Sequence, residues 1–110
     1  MKEYKLLING KWEPGAEKRE IKSPFDGKVV AKVHFADKSQ MENTVDQAHK
    51  AFNKTKVMSS GERSQVLEQI SNEIKNREKE LAESIVLGAG KPIKSARVEV
   101  SRAVNTFKIA

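Results

Sequence analysis

Residues 29 to 42 read Val29-Val30-Ala31-Lys32-Val33-His34-Phe35-Ala36-Asp37-Lys38-Ser39-Gln40-Met41-Glu42, and their apolar period changes half-way. Val29, Ala31, Val33 and Phe35 fall at every second position, the spacing of a half-buried strand. From Met41 onward the apolar residues recur as Met41, Val45, Ala48 and Phe52, one stripe of a helix. Ser39-x-x-Glu42 supplies a capping box for its start, and the helix is expected to end near Asn53. This single change of period predicts an α/β chain, with β-structure over 1–35 and helices over 36–110.

Toward the N-terminus, Lys5 to Ile8 and Lys11 to Trp12 flank Asn9-Gly10. Both turn residues tolerate the positive φ of a type I′ turn, so a β-hairpin is expected there. A second strand is expected over Arg19 to Lys22, after a loop at Pro14-Gly15, and Ser23-Pro24-Phe25-Asp26-Gly27 turns the chain into Val29.

Toward the C-terminus, Ser59-x-x-Glu62 repeats the capping signature. Val66, Ile70 and Ile74 then carry a second helix, with a bend near Asn76, on to Leu81, Ile85 and Val86, where Gly88 and Gly90 stop it. Pro92 suits the first turn of a third helix, because its missing N–H has no partner to lose there. Ile93, Ala96, Val100, Ala103, Val104 and Phe107 mark one apolar face of that helix. It reaches Ala110 with no Gly, Asn or Pro stop, so the expectation is a polypeptide cut within its third helix.

Composition narrows the function classes. With 37% hydrophobic and 33% charged residues, the chain fits amphipathic elements over a core rather than a disordered tail. No run approaches the roughly 20 apolar residues of a membrane-spanning helix. The opening MKEYKLLINGKW also lacks the apolar stretch of a secretory signal, so a cytoplasmic location without membrane partners is expected. The net charge of +6 would favour nucleic acid, but lysines alternate with glutamates, as in Lys75-Asn76-Arg77-Glu78-Lys79-Glu80. Aromatics make up only 5%, too few for a base-stacking platform, and no nucleic-acid partner is expected.

The chain has no cysteine, hence no disulfide, no thiolate metal site and no thiol nucleophile. Gly88-Ala89-Gly90-Lys91 hints at a phosphate loop. A Walker sequence, however, would need glycine at Ile85 and serine or threonine at Pro92, so a helix C-cap is the better reading. His34 and His49 occupy polar positions and are expected to face solvent, and Ser59, Ser60 and Ser64 have no histidine at a catalytic spacing.

Taken in order, Leu7-Ile8-Asn9-Gly10-Lys11-Trp12, Ser23-Pro24-Phe25-Asp26-Gly27-Lys28-Val29 and Ala48-His49-Lys50-Ala51-Phe52 open a series of short motifs. It continues through Glu62-Arg63-Ser64, Glu80-Leu81-Ala82 and Gly90-Lys91-Pro92-Ile93-Lys94-Ser95-Ala96-Arg97-Val98-Glu99-Val100 to Arg102-Ala103-Val104-Asn105-Thr106-Phe107. Over residues 5 to 110 this series resembles the start of the aldehyde dehydrogenase superfamily. The last helix looks most like lactaldehyde and non-phosphorylating glyceraldehyde-3-phosphate dehydrogenases. One departure is Gly88, where the family usually has an acidic residue.

The resemblance implies the N-terminal part of the aldehyde dehydrogenase fold, β-hairpins followed by three amphipathic helices, with residues 1–110 forming part of a cofactor-binding domain. It also implies a homo-oligomeric enzyme that oxidises a small-molecule aldehyde to a carboxylic acid with NAD or NADP. There a cysteine thiolate attacks the aldehyde, hydride passes to the nicotinamide and a glutamate-activated water releases the acid. The cysteine, the glutamate and the glycine-rich turn near the nicotinamide lie beyond residue 110 in such enzymes. No catalytic, cofactor-binding or metal-binding residue is therefore expected in this chain, and the chain alone should be inactive. Arg102 matches an arginine that looks substrate-facing in relatives acting on phosphorylated aldehydes; its other reading is a surface arginine. Lys91 and Asn105 have ordinary structural uses at a helix junction and a helix flank. The alternative function is a stand-alone binding or assembly module that kept the scaffold without the chemistry.

Overall fold

Asn9 and Gly10 both adopt positive φ, 51° and 73°, and close the expected hairpin. Two of its residues, Leu7 and Trp12, face each other across the antiparallel pair. The computed structural model describes residues 2–110. In chain order its elements are β1 (Lys2–Tyr4), β2 (Leu6–Ile8), β3 (Lys11–Glu13), β4 (Glu17–Lys22), β5 (Val29–Phe35), α1 (Lys38–Thr55), α2 (Ser60–Asn76), α3 (Glu78–Ala89) and α4 (Ile93–Ile109). Strands β2 and β3 form the hairpin, and a second sheet has the order β1-β5-β4.

The chain divides into two compact units. The first takes residues up to Lys22 with Gly27–Val57, the second Ser23–Asp26 with Met58–Ala110.

In the first unit, β4 runs antiparallel to β5, with Lys18 opposite His34 and a register shift between Ile21 and Lys22. Strand β1 pairs with β5 in parallel, Glu3 opposite Lys32. The loop before β4 presses onto the end of β5, where a Cβ on Gly15 would stand 2.4 Å from the Phe35 carbonyl oxygen. Helix α1 begins at an N-cap two residues earlier than expected. Asp37, not Ser39, accepts from the Gln40 amide, and the Gln40 side chain returns to the Asp37 N–H. Gln40 also donates through Nε2 to the Pro14 carbonyl at 3.0 Å, a contact that Glu42, three residues after Ser39, cannot make as an acceptor. The stripe Met41, Val45 and Phe52 is present and exposed, and α1 contains no buried residue.

In the second unit, Ser59 and Glu62 form the expected capping box. The expected second helix is divided at Arg77, whose φ and ψ of −103° and 19° separate α2 from α3, so four helices stand where three were expected. Gly90 ends α3 in the left-handed region at φ 69°, as the C-cap reading requires, with Pro24 packed 3.3 Å from where its Cβ would lie. Pro92 precedes Ile93 as the N-cap residue of α4. Ala82, Ala96 and Val100 form the core, covered by Ile74, Leu81, Ile85 and Val86. Small residues at 82 and 96 leave room for α3 and α4 to pack against each other, and both side chains are buried there. Buried Ser71 ties α2 to α4 by donating to the Val104 carbonyl at 2.8 Å.

Candidate functional site

Ile93 to Ile109 is an unbroken helix, and the positions three, four and seven residues apart along it share a face. Along it Lys94, Ser95, Val98, Glu99 and Arg102 line an open depression of about 630 Å³, which Lys91 completes from the junction ahead of the helix. Lys91 Nζ lies 2.5 Å from Glu99 Oε2, so the one carboxylate of the depression is matched by one of its three cations. Lys94 and Arg102 remain, two turns apart with Val98 between them. Among the described residues neither ammonium nor guanidinium has a hydrogen-bonding or ion-pair partner. An arginine fork in this state can accept a carboxylate, phosphate or sulfonate in bidentate fashion.

A second hollow of about 400 Å³ lies between α2, α3 and α4 and is almost wholly aliphatic, with Ile74, Leu81, Ile85, Val100 and Ala103 as walls and Ser84 and Glu99 at its rim.

The histidines divide. His49 is exposed, as expected. His34 is not: it is 4% exposed, and both ring nitrogens are engaged. Gly15 N–H donates to Nδ1 at 2.9 Å, and Nε2 lies 2.5 Å from Glu3 Oε1. Its strand position reads as polar, but the covering loop comes from 19 residues away, beyond the reach of a periodicity argument. Glu3 also meets Lys18 Nζ at 3.0 Å. The hydrogen bond from His34, then that from Lys18 and the Lys18 charge, hold the Glu3 carboxyl down from 4.5 to about 2. No group of three or more His, Asp or Glu that could hold a metal ion occurs among the described residues. Nor is any helix there long and apolar enough to cross a membrane.

In the sequence Arg102 is legible only through the resemblance, whereas Lys94 and Glu99 join it through helical spacing, a signal the resemblance does not carry. Asn105 is exposed on the same helix outside both hollows.

The sequence model of the aldehyde dehydrogenase family matches residues 12–110. The chain belongs to the aldehyde dehydrogenase family. It is 34% identical over 105 residues to the lactaldehyde dehydrogenase of Methanocaldococcus jannaschii, covering 96% of this chain and 22% of that protein. Against the 3-sulfolactaldehyde dehydrogenase of Priestia megaterium it is 34% identical over 110 residues, covering 100% and 23%. The crystal structure of an NAD-dependent aldehyde dehydrogenase from Sinorhizobium meliloti superposes with a TM-score of 0.92 at 30% identity, covering 97% of this chain and 22% of that one. The chain thus spans less than a quarter of the length of these aldehyde dehydrogenases.

Proposed function

We propose that this chain is the N-terminal part of the cofactor-binding domain of an NAD- or NADP-dependent aldehyde dehydrogenase, which oxidises a small aldehyde to a carboxylic acid. In this reading residues 1–35 and 36–110 act as scaffold, the enzyme is a cytoplasmic homo-oligomer, and the chain by itself has no activity. The observation that carries it is the family match over 12–110 in a chain with no cysteine, since the thiolate that attacks the aldehyde must then come from elsewhere. The NAD dependence stated for the Sinorhizobium meliloti relative supports the cofactor class.

Arg102 is the residue of this segment that meets substrate, holding an anionic group on the aldehyde. Its unpartnered guanidinium in the α4 depression supports this role, and the sulfonated substrate in the name of the Priestia megaterium relative is an aldehyde of that kind. In the whole dehydrogenase, Arg102→Ala should raise KM for phosphorylated, sulfonated or carboxylated aldehydes about tenfold or more and leave neutral ones unchanged, the loss of a charge-assisted contact. An equal effect on both substrate classes makes Arg102 structural.

A further inference from the structure

His34 is a buried titratable group to which the dehydrogenase reading gives no task, and its two hydrogen bonds fix its tautomer. A backbone N–H can only donate, so the Nδ1 that receives Gly15 N–H must present a lone pair; the ring proton then sits on Nε2 and is donated to Glu3 Oε1. A second ring proton would have to occupy Nδ1, which already faces the Gly15 N–H at 2.9 Å. Two donors cannot share that space. Glu3 serves Nε2–H in either state, so only the Gly15 side of the ring is forced to change.

The consequence is set by what is anchored. The ring stands on β5, the middle strand of its sheet, whereas Gly15 lies in the connection between β3 and β4. That connection is tied onward, because the Pro14 carbonyl accepts from Gln40 Nε2 and Gln40 completes the capping box of α1. The charged groups on the sheet face that carries His34 are Glu3 from β1, Lys18 and Glu20 from β4, and Lys32 on β5 itself. The connection Pro14-Gly15-Ala16 brings no charged side chain.

We propose that His34 is a pH-sensitive pin: in its neutral form it clasps the Gly15 loop to β5, and on protonation it ejects the Gly15 amide and loosens the tie from Pro14 to the first turn of α1. The device is independent of Arg102 and of the dehydrogenase reading, since every contact in it lies within the first unit.

The test is a pH titration of the isotope-labelled 110-residue chain by NMR, reading the protonation of His34 Nδ1 and the solvent exchange of backbone amides together. The proposal expects Gly15 exchange to quicken about fivefold or more in the same step in which Nδ1 gains its proton, the effect of losing one hydrogen bond. The amides of the β4–β5 ladder should keep their protection. A Gly15 amide that stays protected while Nδ1 is protonated overturns the proposal, as does an Nδ1 that stays unprotonated down to the pH at which the ladder is lost. His34→Asn, which keeps an acceptor and cannot titrate, should abolish the step; a Gly15 release that persists in this variant at the same pH also overturns it. If His34→Asn does not fold, the ladder amides of the unaltered chain serve as the internal reference.

Discussion

Gly15 lies so close to Phe35 that a single added carbon would meet the Phe35 carbonyl oxygen at 2.4 Å and its carbonyl carbon at 2.9 Å. Both are backbone atoms of the central strand and cannot swing aside as the end of a side chain could. Gly15→Ala should therefore lower stability by about 1–3 kcal/mol, the cost of overpacking against an unyielding neighbour. Equilibrium urea unfolding measures it. At Gly88, where an added Cβ would meet nothing within 4 Å, alanine should stabilise the helix slightly. Equal effects at the two positions contradict the packing described for the loop.

Glu3 gives the first unit a dependence on acidity. Its carboxyl lies below its ordinary value because the folded chain supplies hydrogen bonds from His34 and Lys18 that the unfolded chain lacks. A group depressed in the folded state stabilises at pH above its unfolded value. That contribution should therefore be complete above 4.5 and fade as the pH falls toward about 2. Because the side chain is 42% exposed, solvent screens the effect and the slope should be shallow. Urea midpoints taken across this window should fall less steeply in Glu3→Gln than in the unaltered chain; identical slopes contradict the assignment.

The elements that proved legible are those whose signal is local. Asn9-Gly10, Ser59 with Glu62, and Gly90 each act within a few residues, so their chemistry can be read without knowing what lies opposite. Strand β1 is the contrary case. Its three residues, Lys2, Glu3 and Tyr4, carry no apolar alternation, and its partners Ala31 to Val33 lie far along the chain. The burial of His34 escaped for the same reason, since its cover comes from Gly15 and Glu3. At the start of α1, the contact from Gln40 to Pro14, invisible in the linear order, favours Asp37 over the expected Ser39 as the cap. For the candidate site, Arg102 was visible by likeness alone. Its company of Lys94 and Glu99 follows from helical spacing, but their open depression needed coordinates.

Within the second unit, apolar surface remains uncovered. Leu87, Ile93, Val98 and Ile109 are exposed, and the hollow between α2, α3 and α4 is walled by aliphatic side chains. At roughly 25 cal/mol per Å² of apolar surface, covering these groups favours association over a free monomer. The 110-residue chain should sediment as an oligomer at high concentration, or else exchange its amides quickly from Ile93 to Phe107. A monodisperse monomer with slow exchange over that helix argues that the unit is self-sufficient.

If this chain is dehydrogenase scaffold whose chemistry is supplied elsewhere, the absorbance of reduced nicotinamide will show it. Purified residues 1–110, mixed with lactaldehyde or another small aldehyde and with NAD or NADP, should give no aldehyde-dependent reduction above a protein-free blank, because no thiol is present to take the aldehyde. Reduction that requires aldehyde, scales with the amount of chain and survives repurification would show instead that these residues carry the chemistry themselves.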